Sequence, residues 1–149
     1  GLPAPKPVAP EQMLMIGRRH IRSNNSWMHN SQRLVKGKGR CNAMIHPDDA
    51  KRLAVADGDD VAVSTPSGTI TLPAWLCDDI MPGVISVPHG WGHDREGVQL
   101  GVARRVAGQS VNDIIGSNRV EAVTAMAQLN GIPVTVEPVK AAKSRKKAG

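Results

Sequence analysis

Aromatic side chains are nearly missing from this chain. Its 149 residues include no Phe, no Tyr and only three Trp: Trp27, Trp75 and Trp91. A chain of this length suits one domain and buries roughly 70% of the surface its unfolded form would expose. That core must therefore be built from Val, Ile, Leu, Met and Ala. Cysteine is equally sparse. Cys41 and Cys77 are far apart and no CxxC occurs, so neither a zinc knuckle nor an iron–sulfur cluster is encoded. Two isolated thiols fit a reducing, cytoplasmic setting. No apolar run approaches the ~18 residues of a membrane span. Nothing resembles a secretory signal, because "GLPAPKPVAPEQ" is Pro-rich and lacks an apolar centre. There is no Ser/His/Asp order, no P-loop and no carboxylate pair that would make a catalytic centre.

The net charge of +6 suggests nucleic acid, but its location argues otherwise. Lys140, Lys143, Arg145, Lys146 and Lys147 lie among the last ten residues, and setting those five aside leaves 14 basic against 13 acidic residues. The body is close to neutral. Residues 140–149 are expected to be a solvated, disordered tail, and nucleic acid is not the expected partner. Residues 1–12 are expected to be an extended Pro-rich linker leading away from, or cut from, something larger.

Between these ends the punctuation is that of a β protein. "MLMIG" (13–17) reads as a short buried strand ending at a glycine, and "RCNAMIHP" (40–47) as the next strand. A short helix follows. Pro47 suits its first position, and Asp48 and Asp49 favour the positive end of its dipole. His46 is expected at its start. In "ADGDDVAVSTPSGTITLPAWL", Val61 and Val63 alternate with smaller residues, Pro66-Ser67-Gly68 makes a tight turn, and Ile70 and Leu72 alternate on the return. Trp75, in a strand context, is expected in the core. "DDIMPGVISVPHG" gives another strand, and "NGIPVTVEP" a last one. Short strands, one short helix and frequent turns predict a mostly β chain with short helices, closed as a small barrel.

Three segments are too polar for a barrel core: "IGRRHIRSNNSWMHN" (16–30), "PHGWGHDREG" (88–97) and "GQSVNDIIGSN" (108–118). Arg18, Arg19 and Arg22 carry donor forks that match phosphate oxygens. Gly17 and Gly90 let backbone N–H groups approach an anion. Asn24, Asn25, Asn30 and Asn112 offer donors and acceptors to the edge of a purine or pterin. Trp27 and Trp91 sit in polar surroundings and offer flat faces. The sum describes a flat heterocycle joined to a diphosphate. Each element also has a plainer reading: turn geometry for an Asn, a surface charge for an Arg, a barrel cap for Trp91. His89 and His93 stand at i and i+4, but Gly90-Trp91-Gly92 breaks the helix that would align them, so no metal site is expected.

Taken in order, "LMIGRRHIRSNNSWMHN", "IHPDDAKRLAVADGDDVAVSTPSGTI", "MPGVISVPHGWGH", "SVNDI" and "LNGIPVTVEP" resemble the C-terminal molybdopterin-dinucleotide-binding domain of the dimethyl sulfoxide reductase family, which includes formate dehydrogenases and nitrate reductases. The resemblance covers residues 13–139. It implies a six-stranded double-psi β-barrel and molybdopterin guanine dinucleotide as cofactor. The molybdenum or tungsten would be held by upstream catalytic domains, and the chain alone would be inactive. By the same resemblance, Gly17 and Arg18 match the Gly-Arg that ends the first strand. Ser26, Trp27, Met28, His29 and Asn30 match the loop that follows it, His89 and Gly90 the turn after the "PG" strand, and Asn112 an Asn reaching the pterin region. Arg19 and Trp91 join them from the chemistry above. Two departures stand out: "NDIIG" replaces the family's "NxLT", and "VEAVTA" its "D-P-x-S-G". A rival from another class is a non-catalytic β-barrel interaction module that uses its basic tail for nucleic acid or a protein partner.

Overall fold

The structure is a computed structural model that describes residues 8–117, 119–121 and 123–139. The expected basic tail, and the first seven residues of the expected linker, lie outside the described residues. Six strands close into a barrel: β1 (Gln12–Arg18), β2 (Ala43–Ile45), β3 (Asp60–Thr65), β4 (Gly68–Leu76), β5 (Val84–Pro88) and β6 (Ile132–Pro138). Their order around the barrel is β1-β5-β2-β4-β3-β6. This is the six-stranded double-psi β-barrel that the resemblance implies.

Period-two alternation decides what faces inward. Met13 and Met15 of β1, Val61 and Val63 of β3, Ile70, Leu72 and Ala74 of β4, and Ile132, Val134 and Val136 of β6 are all buried. Closure leaves no free edge, so the strands satisfy one another's backbone groups. Branched aliphatics and methionine fill the interior without one aromatic ring, and all three Trp lie outside this cluster.

The same alternation corrects the expectation for Trp75. With Leu72 and Ala74 inward, Trp75 must point outward, and it is 41% exposed. Its indole lies beneath the Arg18 guanidinium, whose carbon is 5.6 Å from the ring centroid. Bulk and hydrophobicity argued for the core; strand parity overrules them.

Helix α2 (Pro47–Leu53) forms as its sequence predicts. His46 caps it, its Nδ1 accepting from the Asp48 N–H at 3.1 Å, and it ends at Ala54 in the left-handed region. Asp49 is buried, with Oδ2 accepting from the Gly83 N–H at 2.7 Å and Oδ1 from Arg52 at 3.0 Å. That carboxylate ties the helix to the turn that starts β5. The hairpin at Pro66-Ser67 is also as expected, with Thr65 opposite Gly68. The polar segments and the stretches beside them hold structure the sequence did not announce: 3₁₀ turns at Trp27–Asn30 and Val111–Asp113 within them, and short helices α1 (Gln32–Val35) and α3 (Gly101–Arg105) just after the first two.

These placements predict opposite outcomes for two large side chains. Ile85→Ala removes a fully buried side chain and should cost about 2–5 kcal/mol. Trp75→Ala removes an exposed ring and one cation–π contact and should cost about 0.5–2 kcal/mol. Urea midpoints of the two variants check the order, and a larger loss at Trp75 would return its indole to the core.

Candidate cofactor-binding site

Strands β1 and β5 run parallel, with Gly17 opposite Val87 and Arg18 opposite Pro88. Parallel neighbours end side by side, so the loops that follow them leave the barrel at the same end. The His89 N–H donates to the Arg18 carbonyl at 3.0 Å, carrying the ladder one step into the loops. The first two polar segments, far apart in sequence, are brought together in this way.

Close packing then stitches them. Gly90 has φ +91°, and a Cβ there would lie 2.1 Å from the Asn25 carbonyl oxygen. Only glycine fits that approach. The His29 ring stacks on Trp91, centroids 3.9 Å apart and planes at 29°. Its Nδ1 is 2.7 Å from His93 Nε2. The third segment joins on the other side: the Gly92 N–H donates to the Ala107 carbonyl at 2.8 Å, and Arg95 pairs with Asp113. A Cβ on Gly108 would lie 2.9 Å from Trp91 Cε3. Trp91 is therefore buried between loops, one face against His29. The sequence left Trp91 as a stacking face or a barrel cap; contacts distant in sequence bury it.

The expected site residues divide by what already occupies them. The Gly17 N–H donates to Asn130 Oδ1 at 2.7 Å. Arg18 is turned along the barrel's outside, donating from Nη1 to the Ser86 carbonyl at 3.2 Å and from Nη2 to the Asn42 carbonyl at 3.0 Å and Oδ1 at 2.6 Å. Asn30 Oδ1 accepts from the N–H groups of Val102 and Ala103, at 3.0 and 3.2 Å, and so caps α3. The Ser26 carbonyl accepts from the His29 N–H at 3.0 Å, closing the 3₁₀ turn. Others remain available. Arg19 is exposed and donates to Asn25 Oδ1. Trp27 is 82% exposed, and Met28 beside it is also exposed. His89 is half-buried. Asn112 is exposed, and its side chain bonds to no other group among the described residues.

Two clefts flank His20. One, of about 520 Å³, is lined by Arg19, His20, Ile21, Asn24 and Asn25. Asn24 and Asn25 hold φ of 40° and 60°, a conformation that asparagine tolerates better than most residues. The other, of about 620 Å³, is lined by Arg18, Lys38, Arg40, Asn42 and Trp75, among others. Both are of ligand-binding size.

The electrostatics keep the imidazoles neutral. Burial pushes His29 down to about 4, helped by His93 and Arg40 and opposed by the Gly90 carbonyl. Burial lowers His93 too, against the Gly90 carbonyl and Asp94. His89 is lowered by burial and then by Arg19.

The segment from Ile16 to Asn30 contains three arginines and no carboxylate. It also holds two buried polar atoms with no partner among the described residues, Ser23 Oγ and His29 Nε2. Buried polar atoms are normally paired, with protein groups or ordered water. Cations without counter-ions, amides at left-handed positions and an exposed indole fit a dinucleotide carrying a flat heterocycle. Fold and loops together define a dinucleotide-cofactor-binding barrel.

Comparison with known proteins makes the class specific. Residues 13–133 match the Molydopterin dinucleotide binding domain, and the chain belongs to that family. It is similar to ArrA, the molybdopterin-containing component of the arsenate respiratory reductase of Shewanella sp. (strain ANA-3), at 33% identity over 65% of this chain and 12% of that one. It is also similar to a tetrathionate reductase chain of Salmonella typhimurium, at 28% identity over 64% of this chain and 11% of that one. Among solved structures it superposes on acetylene hydratase from Pelobacter acetylenicus with a TM-score of 0.72 at 19% identity, covering 87% of this chain and 18% of that one. The chain thus spans about one-ninth of these curated relatives' own length. The cofactor this domain family binds is a molybdopterin dinucleotide. Among the described residues no helix is long and apolar enough to cross a membrane.

Sequence reasoning missed Asn42 and Trp75 as site neighbours, and gave His93 a loop hydrogen bond without its partner. His93 meets its partner across 64 residues, and no local signal encodes that.

Two measurements test this geometry. Gly90→Ala should cost about 1–3 kcal/mol through backbone strain and the clash with Asn25, and should raise amide exchange over residues 19–30. Gly97→Ala, also at positive φ but with nothing near its Cβ, should leave that exchange unchanged. The second measurement is stability against pH. An unfolded histidine takes up a proton near 6.5, whereas His29 resists until about 4. Its contribution is therefore full above pH 6.5 and drains away as the pH falls to about 4. His29→Gln should flatten that part of the profile relative to the unaltered chain.

Proposed function

We propose that this chain is the cofactor-closing domain of a larger molybdenum or tungsten oxidoreductase, with upstream catalytic domains as its partners. The observation that carries this reading is the convergence of three polar loops at one barrel end, with cations and amides that no carboxylate of the first loop neutralises. The similarity to reductase chains supports it. A formate dehydrogenase- or nitrate reductase-like parent fits the sequence resemblance; arsenate and tetrathionate reductases fit the relatives. Two unpaired thiols, Cys41 and Cys77, agree with a cytoplasmic setting.

In this reading the chain binds and orients. When bound, the cofactor supplies the metal and its redox chemistry. Arg19 holds phosphate oxygens through its donor fork, and Asn112 and His89 offer hydrogen bonds to the heterocycle. Trp27 offers a flat face. Arg18 acts one step removed, bracing the end of β1 against Asn42 and Ser86. Gly17, Asn30 and Trp91 hold the loops in shape.

The test is Arg19→Ala with Asn112→Ala in the enzyme that carries this chain. Losing one charge-assisted and one neutral hydrogen bond should cost about 2–4 kcal/mol, roughly 30- to 1,000-fold in affinity. The readout is pterin content after gel filtration. Full retention by the double variant would sink the assignment.

A further inference from the structure

The larger of the two clefts beside His20 has no task in holding the cofactor. Arg19, Trp27, His89 and Asn112 were assigned to phosphates and heterocycle, and none of them lines it. It opens on the barrel's outer wall instead. There Met44 of β2 lies opposite Trp75 of β4, with Pro73 two positions before Trp75 on the same outward face. Pro73 and Trp75 are exposed and Met44 is half-buried, so an apolar strip faces solvent.

Three cations line the same cleft: Arg18, Lys38 and Arg40. None pairs with a carboxylate among the described residues. Asp57, the one carboxylate in the lining, accepts from the Leu76 N–H at 2.8 Å. Arg18 gives both terminal nitrogens to neutral oxygens. Lys38 is exposed. Arg40 gives Nη2 to the Leu34 carbonyl at 2.8 Å, while its Nε is buried without a partner among the described residues. Burial, then Arg22, push the Arg40 guanidinium below its ordinary value, the direction of an uncompensated charge. Such cations call for an anion, and the exposed indole beside them calls for an apolar neighbour. Trp, Met and Arg are the residues enriched where protein surfaces meet.

We propose that this cleft seats an acidic segment of the upstream domains, its Asp or Glu carboxylates paired with Lys38 and Arg40 and an apolar side chain laid on Trp75. The inference rests on the proposed function for the existence of those domains. The chain spans about one-ninth of its curated relatives' length, so in a protein built like them the barrel wall has a large neighbour to meet. Docking gives the orphaned Arg40 Nε an acceptor, and charge-assisted bonds of this kind are among the stronger ones.

The test is zero-length coupling in the enzyme that carries this chain. A carbodiimide activates a carboxylate, Lys38 Nζ attacks the activated carbonyl carbon, an amide bond forms, and the carbodiimide departs as its urea with the carboxylate oxygen. Only a carboxylate in contact reacts, and peptide mass spectrometry locates the bond. Expected is Lys38 joined to an Asp or Glu outside this chain. Lys38→Arg, which keeps the charge but cannot be coupled, should lose that product. Lys38 joined only within this chain, or not joined at all, overturns the proposal. Inorganic pyrophosphate at constant ionic strength should leave the coupling intact; its abolition would mark a small-anion site and overturn the docking. Lys38→Glu with Arg40→Glu should raise amide exchange over residues 38–42 and leave β3 unchanged. Unchanged exchange at 38–42 counts against the proposal, and if the double variant does not fold the coupling still decides. Failure of the cofactor reading shows separately, as retained pterin in the Arg19 and Asn112 double variant.

Discussion

The parallel pairing of β1 with β5 is the constraint on which the rest of this molecule depends. An antiparallel pair would send the loops after Arg18 and after Pro88 to opposite ends of the barrel. Parallel pairing sends them to one end, one hydrogen-bond step apart. Such pairing needs a long crossover, and the chain supplies it through β2, α2, β3 and β4; β6 then closes the barrel against β1 and β3. The crossover thus builds the core that fixes the strands and places the loops those strands present.

Bringing two polar loops together creates a packing problem. Neither loop has an apolar face, yet their junction is dry enough to bury His29, Trp91 and His93. The stacked rings act as a small second core outside the barrel. Their hydrogen bond satisfies two of the ring nitrogens, and Gly90 lets the backbones close over them. Burial in turn keeps both imidazoles neutral, which the junction requires: a charged pair there would repel and would need water.

What the sequence showed and what it hid follow from range. Alternation over Val61–Val63 and Ile70–Leu72, the Pro-Ser-Gly turn and the Pro47-Asp48-Asp49 helix start are local, and each appears where it was read. Trp75 was also legible, because parity with Leu72 puts it outside; its size was given more weight than its register. Trp91, His29 and His93 were not legible. Their burial depends on contact between loops far apart in the chain, with His29 and His93 separated by 64 positions, and polar neighbours in sequence conceal that. The Gly-Arg at 17–18 is an intermediate case. The pair sits where the family resemblance placed it, but the direction of the Arg18 side chain depends on Asn42 and Trp75, which come from elsewhere in the chain.

The first loop therefore interleaves two kinds of residue. Buried His29 holds the loop to Trp91 and His93, and exposed Asn30 holds it to α3 through its Oδ1. Arg19, Trp27 and Met28 look outward, toward the face where a ligand would lie. Structural and contact residues are neighbours in sequence because a short turn must do both jobs within a few positions. Each outward group is aimed by an inward one: the pose of Trp27 and Met28 is set by His29, and that of His29 by His93 and Gly90. Rigidity here is a means of presentation. A loop left to find its shape on binding would spend ordering entropy at that moment, whereas this one has been ordered by folding.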